Sequence, residues 1–173
     1  MLPKLSLILG GASSGKSAFA ESLVMAAPQP RIYIATAQTF DDEMRQKVQK
    51  HLVQRGPDWR TIEAPLNTAD TLRDLPADAI VLLDCATMWL SNHMLAETNL
   101  AAEQAKLRDA LNACPAHVVV VSNEVGLDVV PENALARRFR DAQGALNQAI
   151  AKQAELAVLV VAGLPMVLKG DLP

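Results

Sequence analysis

The sequence predicts an α/β domain built on a mostly parallel β-sheet flanked by helices, and three observations predict it. Five short aliphatic runs recur along the 173 residues, helical patterns lie between them, and a glycine-rich loop joins the first run to the first helix. The runs are Lys4–Leu9, Arg31–Thr36, Ala79–Asp84, His117–Ser122 and Leu156–Ala162. Each is almost continuously apolar and bounded by Gly, Pro, Asn or Asp, the pattern of strands buried on both faces. A sixth, less apolar strand is expected over Trp59–Ala64. Helices are expected over Lys16–Ala26, Asp41–Gln54, Thr98–Cys114 and Asn133–Leu156. The second opens with Asp41, Asp42 and Glu43, which suit the positive end of a helix dipole, and Gly56-Pro57 stops it. Asn133, after Pro131, is the expected cap of the last. Strands alternating with helices imply right-handed crossovers.

Bulk properties narrow the class. The length fits a single domain over 1–173. With 16 basic and 19 acidic residues the net charge is −3, and no basic block offers an electrostatic reason to expect nucleic acid. Cys85 and Cys114 stand in no metal-binding or redox spacing and read as reduced core residues. The Leu5–Leu9 run is too short for a secretory signal and leads straight into Gly10-Gly11. No apolar run approaches the ~20 residues of a membrane span. Cytoplasm is the expected location.

The chemistry starts at Gly10-Gly11-Ala12-Ser13-Ser14-Gly15-Lys16-Ser17, which satisfies GxxxxGK[ST] between a strand and a helix. Gly10 and Gly15 let the backbone curl so that its N–H groups converge, with a helix N-terminus behind them, on an anion. In such a P-loop Lys16 is expected at the β- and γ-phosphates, and the Ser17 hydroxyl on Mg²⁺. Ala79–Asp84 ends in a carboxylate as a Walker B strand does, which makes Asp84 the second expected Mg²⁺ residue.

Of the three histidines, His117 opens a strand and His93 falls in an apparent surface loop. His51 lies on the expected second helix, at the edge of the stripe Met44, Val48 and Leu52, with Arg55 one turn on. Two readings stay open on spacing alone. His51 is a half-buried structural residue, or it is a nucleophile toward phosphorus, with Arg55 stabilising the phosphoryl oxygens. Glu124, two residues past the fourth run, either orients or deprotonates an attacking hydroxyl or forms a helix or loop salt bridge.

Further blocks carry a resemblance that runs nearly end to end. They are Tyr33-Ile34-Ala35-Thr36-Ala37-Gln38, then His51, Arg55 and Trp59-Arg60-Thr61-Ile62-Glu63. A long block follows, Ser122-Asn123-Glu124-Val125-Gly126, continued by Val130-Pro131-Glu132-Asn133, Arg137, Phe139-Arg140-Asp141, Gly144 and Asn147-Gln148. With these the chain resembles the bifunctional adenosylcobinamide kinase/adenosylcobinamide-phosphate guanylyltransferase family. Ser13 stands where that family often has Arg. The resemblance implies a RecA-like P-loop NTPase fold, a homotrimer, and two reactions. ATP or GTP phosphorylates adenosylcobinamide, then GMP passes from GTP, by way of a guanylylated histidine, to adenosylcobinamide phosphate. It implies that His51 is that histidine. It also implies that Ala35, Thr36, Ala37, the stretch Leu52-Val53-Gln54-Arg55 and Glu63 line the guanine nucleotide site. Trp59 reads as a core residue rather than a corrinoid contact. The competing readings are a P-loop small-molecule kinase without a covalent step and a RecA-like ATPase. The blocks after Ser122 argue against both.

Overall fold

The computed structural model describes residues 2–28, 30–38 and 58–173. The expected helix over Asp41–Gln54, and with it His51, Leu52, Val53, Gln54 and Arg55, lies outside the described residues. In chain order the described elements are β1 (Leu5–Gly10), α1 (Lys16–Met25), β2 (Arg31–Ala35), β3 (Trp59–Glu63), α2 (Thr68–Arg73), β4 (Ile80–Asp84), α3 (Ala86–Leu95), α4 (Leu100–Ala113), β5 (His117–Asn123), α5 (Ala134–Gln153), β6 (Leu156–Val161) and β7 (Leu164–Lys169). All six expected strands are present, each differing by a residue at one end or both.

The strands form one sheet in the order β3-β2-β4-β5-β1-β6-β7. Every pairing is parallel except β6 with β7. The continuous apolar runs now have their cause. Leu5, Leu7, Leu9, Val81, Leu83, Val118 and Val120 face a core completed by Trp89, Leu107, Leu146 and Ile150 of α3, α4 and α5. Ile8, Leu82, Val119 and Val121 face the opposite core, closed by Ala20 and Val24 of α1. Alternation persists, but both faces are dry, so polarity does not reveal it. Leu7 is fully buried at the centre of β1, between Val120 and Ala157. Leu7→Ala is expected to cost about 2–5 kcal/mol of stability, because a strand held on both flanks cannot collapse into the cavity. Urea unfolding followed by circular dichroism measures it.

Three elements were not expected. β7 is exposed along its whole length. It joins β6 through a two-residue loop, Ala162-Gly163, with φ of 52° and 77°. Those values match a type I′ turn, whose twist suits a hairpin. α2 has six residues, too few for a periodic signal. α3 lacks the usual Ser, Thr, Asp or Asn cap, since Cys85 fills that place and its Sγ accepts from the Met88 N–H at 3.4 Å. His93 is therefore not a surface loop residue. It lies on α3, 3% exposed, with its ring 4.6 Å from the Trp89 ring and bonded to Thr98 Oγ1 and the Leu66 carbonyl. His117 binds the Pro3 carbonyl at 3.1 Å, a structural role. Trp59 packs edge-on to Tyr33 at 6.4 Å against the α1-side core.

Candidate functional site: a phosphate cradle at the C-terminal edge of the sheet

β1 ends at Gly10, and Gly11–Gly15 form a tight loop that feeds directly into α1. Two glycines are required by space or backbone angle. A Cβ on Gly10 would stand 2.8 Å from the Val160 carbonyl of β6. Gly15 has φ of +91° and packs on Gly163, leaving 3.0 Å for a Cβ. The hairpin turn braces the loop directly, since the Gly163 N–H donates to the Ser14 carbonyl at 2.8 Å. Ser14 N–H also donates to the Gly11 carbonyl at 3.3 Å. Among the described residues no side chain caps α1, which leaves its N-terminal N–H groups to an anion at the loop. Lys16 Nζ donates to the Gly11 carbonyl at 2.9 Å, which folds the cation back over the loop.

β5 separates the loop strand β1 from β4. Two strand spacings, about 10 Å, therefore separate β1 from β4, and Gly10 lies two residues further along than the position level with Asp84. The end of β5 occupies that gap. Gly10 pairs with Asn123, and the Glu124 N–H donates to the Gly10 carbonyl at 3.0 Å. Glu124 and Ala12 both line a cavity of about 390 Å³ with Ser14, Leu127 and Ala162, and a neighbouring one of about 400 Å³ with Asn123 and Asp128. A cavity of about 480 Å³ lies at the opposite edge, by Leu2, Ile80 and His117, where the strands begin.

The remaining expected residues form a second group on the same edge. Ala35 pairs with Glu63 on one side and Asp84 on the other, so the three stand in one row. Glu63 is exposed and Ala37 partly so. The Tyr33 hydroxyl donates to Asp84 Oδ2 at 3.0 Å. Thr36 was expected among the residues that line the nucleotide. It is fully buried, and its hydroxyl donates to the Cys85 carbonyl at 2.7 Å and accepts from the Cys85 N–H at 2.8 Å. Asn92 of α3 donates to the Thr36 carbonyl at 2.7 Å. Thr36 thus fixes the backbone beside Asp84. The structure brings the loop, Lys16 and Glu124 together, and places Ala35, Glu63 and Asp84 across the sheet from them.

A hydroxyl at Ser17 and a carboxylate at Asp84 are hard oxygen donors. They fit Mg²⁺, which keeps several waters and takes the rest of its shell from phosphates. When bound, the ion would neutralise phosphate charge; Ser17 and Asp84 are the residues that would hold it.

Cys85 follows Asp84. Burial, then the Asp84 charge, push its thiol up to about 11. Below pH 9 the thiolate is about 100-fold scarcer than at the ordinary value. Alkylation by iodoacetamide at pH 8 is expected to be slow in the native chain and to climb tenfold per pH unit up to about 11. Peptide mapping of the labelled chain checks this.

Sequence reasoning missed Tyr33, Thr87, Gln143 and the Ala162-Gly163 turn. A signal existed for one of them. Gln143 and Asn147 put two amides at i, i+4 on the face of α5 that carries Leu146 and Ile150, an unusual demand on a helix core.

Residues 6–168 match a family described as cobinamide kinase / cobinamide phosphate guanyltransferase. A bifunctional adenosylcobalamin biosynthesis protein of Pseudomonas aeruginosa, CobP, is 46% identical over 168 residues, 95% of this chain and 97% of that protein. CobU of Salmonella typhimurium, a bifunctional adenosylcobalamin biosynthesis protein, is 42% identical over 180 residues, 94% and 98% of the two chains. Among solved structures, the RadB recombinase aligns with a TM-score of 0.51 at 14% identity, over 91% of this chain and 74% of its own. A type III secretion ATPase aligns with a TM-score of 0.59 at 9% identity, over 96% and 57%. At those identities the likeness shows the fold alone, that of the P-loop NTPases.

Proposed function

Because this chain belongs to the cobinamide kinase / cobinamide phosphate guanyltransferase family, a bifunctional enzyme family of cobalamin biosynthesis, we propose that it works through one phosphate cradle and one covalent relay at His51. The observation that carries the reading is the Gly10–Ser17 loop, shaped and braced as an anion cradle in a chain that matches the family nearly end to end.

In the first reaction the cradle and Lys16 hold the triphosphate of ATP or GTP. The aminopropanol hydroxyl of adenosylcobinamide attacks the γ-phosphorus. Its O–P bond forms as the bond to the β-phosphate oxygen breaks, and Glu124 takes the hydroxyl proton. In the second, a ring nitrogen of neutral His51 attacks the α-phosphorus of GTP and pyrophosphate leaves. The phosphate oxygen of adenosylcobinamide phosphate then attacks that phosphorus, the N–P bond breaks, and adenosyl-GDP-cobinamide departs. Arg55 neutralises charge on the transferring group. Ala35, Ala37, Leu52, Val53, Gln54 and Glu63 line the guanine nucleotide, and Thr36 acts behind them through the Cys85 backbone. β2 ends at the site edge just before the segment that contains His51, which favours that route.

A homotrimer in the cytoplasm completes the reading. The apolar side chains on β7, Leu164 at 72% and Met166 at 56% exposure, are surface that an assembly of copies would cover. The two free cysteines suit a reducing compartment. Among the described residues no helix is long and apolar enough to cross a membrane. The test is product analysis by mass spectrometry. With adenosylcobinamide and ATP or GTP the protein should form the phosphate, and with GTP the GDP derivative. Phosphate without the GDP derivative would reduce the protein to a kinase.

A further inference from the structure

β5 runs two residues past its neighbour. Asp84, the last residue of β4, pairs with Val121, whereas Asn123 still pairs with Gly10 of β1. On the β4 flank, the peptide groups at the end of β5 therefore lack a strand partner. Side chains from two helices replace it. The Asn123 N–H donates to Thr87 Oγ1 of α3 at 2.8 Å, and Asn147 Nδ2 of α5 donates to the Asn123 carbonyl at 3.0 Å. Asn147 is itself held. Its Oδ1 accepts from Ser122 Oγ at 2.6 Å and from Gln143 Nε2 at 2.9 Å, and Gln143 also donates to Ser122 Oγ at 2.9 Å. Ser122 and Gln143 are fully buried, and Thr87 and Asn147 are 6% exposed.

Such a cluster is expensive. Apolar residues of similar size would pack there without desolvating polar atoms, and Gln143 Oε1 has no hydrogen-bond partner among the described residues. What the cluster supplies is direction. It fixes the backbone N–H and C=O of Asn123, one residue before Glu124, which lines the loop cavities, whose N–H binds Gly10 and whose Oε1 accepts from the Gly126 N–H at 2.5 Å. We propose that Thr87, Asn147 and Gln143 are positioning residues that clamp the Asn123 peptide and so set Glu124 against the phosphate loop. The catalytic half of this inference rests on the proposed kinase reaction; the mechanical half does not.

Thr87→Val is the sharpest probe, because it is nearly isosteric and removes the hydroxyl that accepts from Asn123 and also bonds Cys85, and Thr87→Ser restores it. Thr87→Val and Asn147→Leu should each lower the kcat of adenosylcobinamide phosphorylation about tenfold or more, with the nucleotide KM within about twofold, since the loop itself is untouched. Thr87→Ser should recover most of the rate. In a Glu124→Gln background, adding Thr87→Val should cost less than about twofold, because the two act as one unit. Hydrogen exchange of the intact chain, read on the Asn123–Gly126 amides, should quicken at least about tenfold in Thr87→Val but not in Thr87→Ser. Unchanged exchange overturns the clamp, whatever the protein's activity. Quickened exchange with kcat intact, a loss fully additive with Glu124→Gln, or a Thr87→Ser variant as slow as Thr87→Val overturns the positioning role. Wild-type protein that forms no cobinamide phosphate would instead sink the kinase reading, leaving exchange to decide the clamp.

Discussion

Lys16→Ala is expected to lower both reactions by about 10³-fold in kcat/KM while leaving the fold intact. Charge on the transferring phosphoryl group is stabilised mainly by donors already in place, and removing one such donor costs about 10²–10³ in rate. Lys16 adds a full charge to the loop's N–H dipoles. Its Nζ is already held over the loop by the Gly11 carbonyl at 2.9 Å, so little ordering remains for the bound state. By the usual conversion a thousandfold is about 4 kcal/mol. The stability effect should be far smaller, since one partly buried hydrogen bond contributes about 0.5–1.5 kcal/mol. Steady-state kinetics of each half-reaction, with thermal unfolding alongside, separates the two. Loss of only the kinase step would mean that GTP for guanylylation sits elsewhere.

His51→Ala should split the activities instead. Guanylyl transfer should fall by about 10⁴-fold or more, the scale on which a lost nucleophile leaves only positioning. Phosphorylation should keep at least about a tenth of its rate, because no atom of His51 enters that step. Supplying the phosphorylated corrinoid directly should not rescue the variant. The contrast with Lys16→Ala matters: one substitution removes the shared cradle, the other a single relay.

How much of this was legible in the residues depends on which force shaped each part. Five of the six parallel strands were readable because burial on both faces writes nearly unbroken aliphatic runs such as Ile80–Leu83; β3, a partly exposed edge strand, was readable only more weakly. The loop was readable because the cradle leaves little choice at Gly10, Gly15 and Lys16. β7 was not, since an exposed edge strand is under no burial constraint and its turn uses Ala162 rather than Asn or Asp. α3 escaped because a thiol caps it, and His93 was misplaced with it. The site was legible in part. Motif spacing gave Lys16 and Ser17 as candidates, and the ends of apolar strands gave Asp84 and Glu124. It did not reveal that Thr36 would spend its hydroxyl on Cys85, or that Asn147 and Thr87 would close the flank β4 leaves open. Those roles follow from strand order and from β5 outrunning β4, neither of which a local pattern records.

Incubation with GTP labelled at the α-phosphate, followed by mapping of the labelled peptide, tests the central claim most directly. Label stable to base and labile to acid should appear on wild-type protein at close to one per chain, on the peptide containing His51, and be lost in His51→Ala. Wild-type protein that takes up no label while still forming adenosyl-GDP-cobinamide would contradict the relay, as would a His51→Ala variant labelled as fully as wild type.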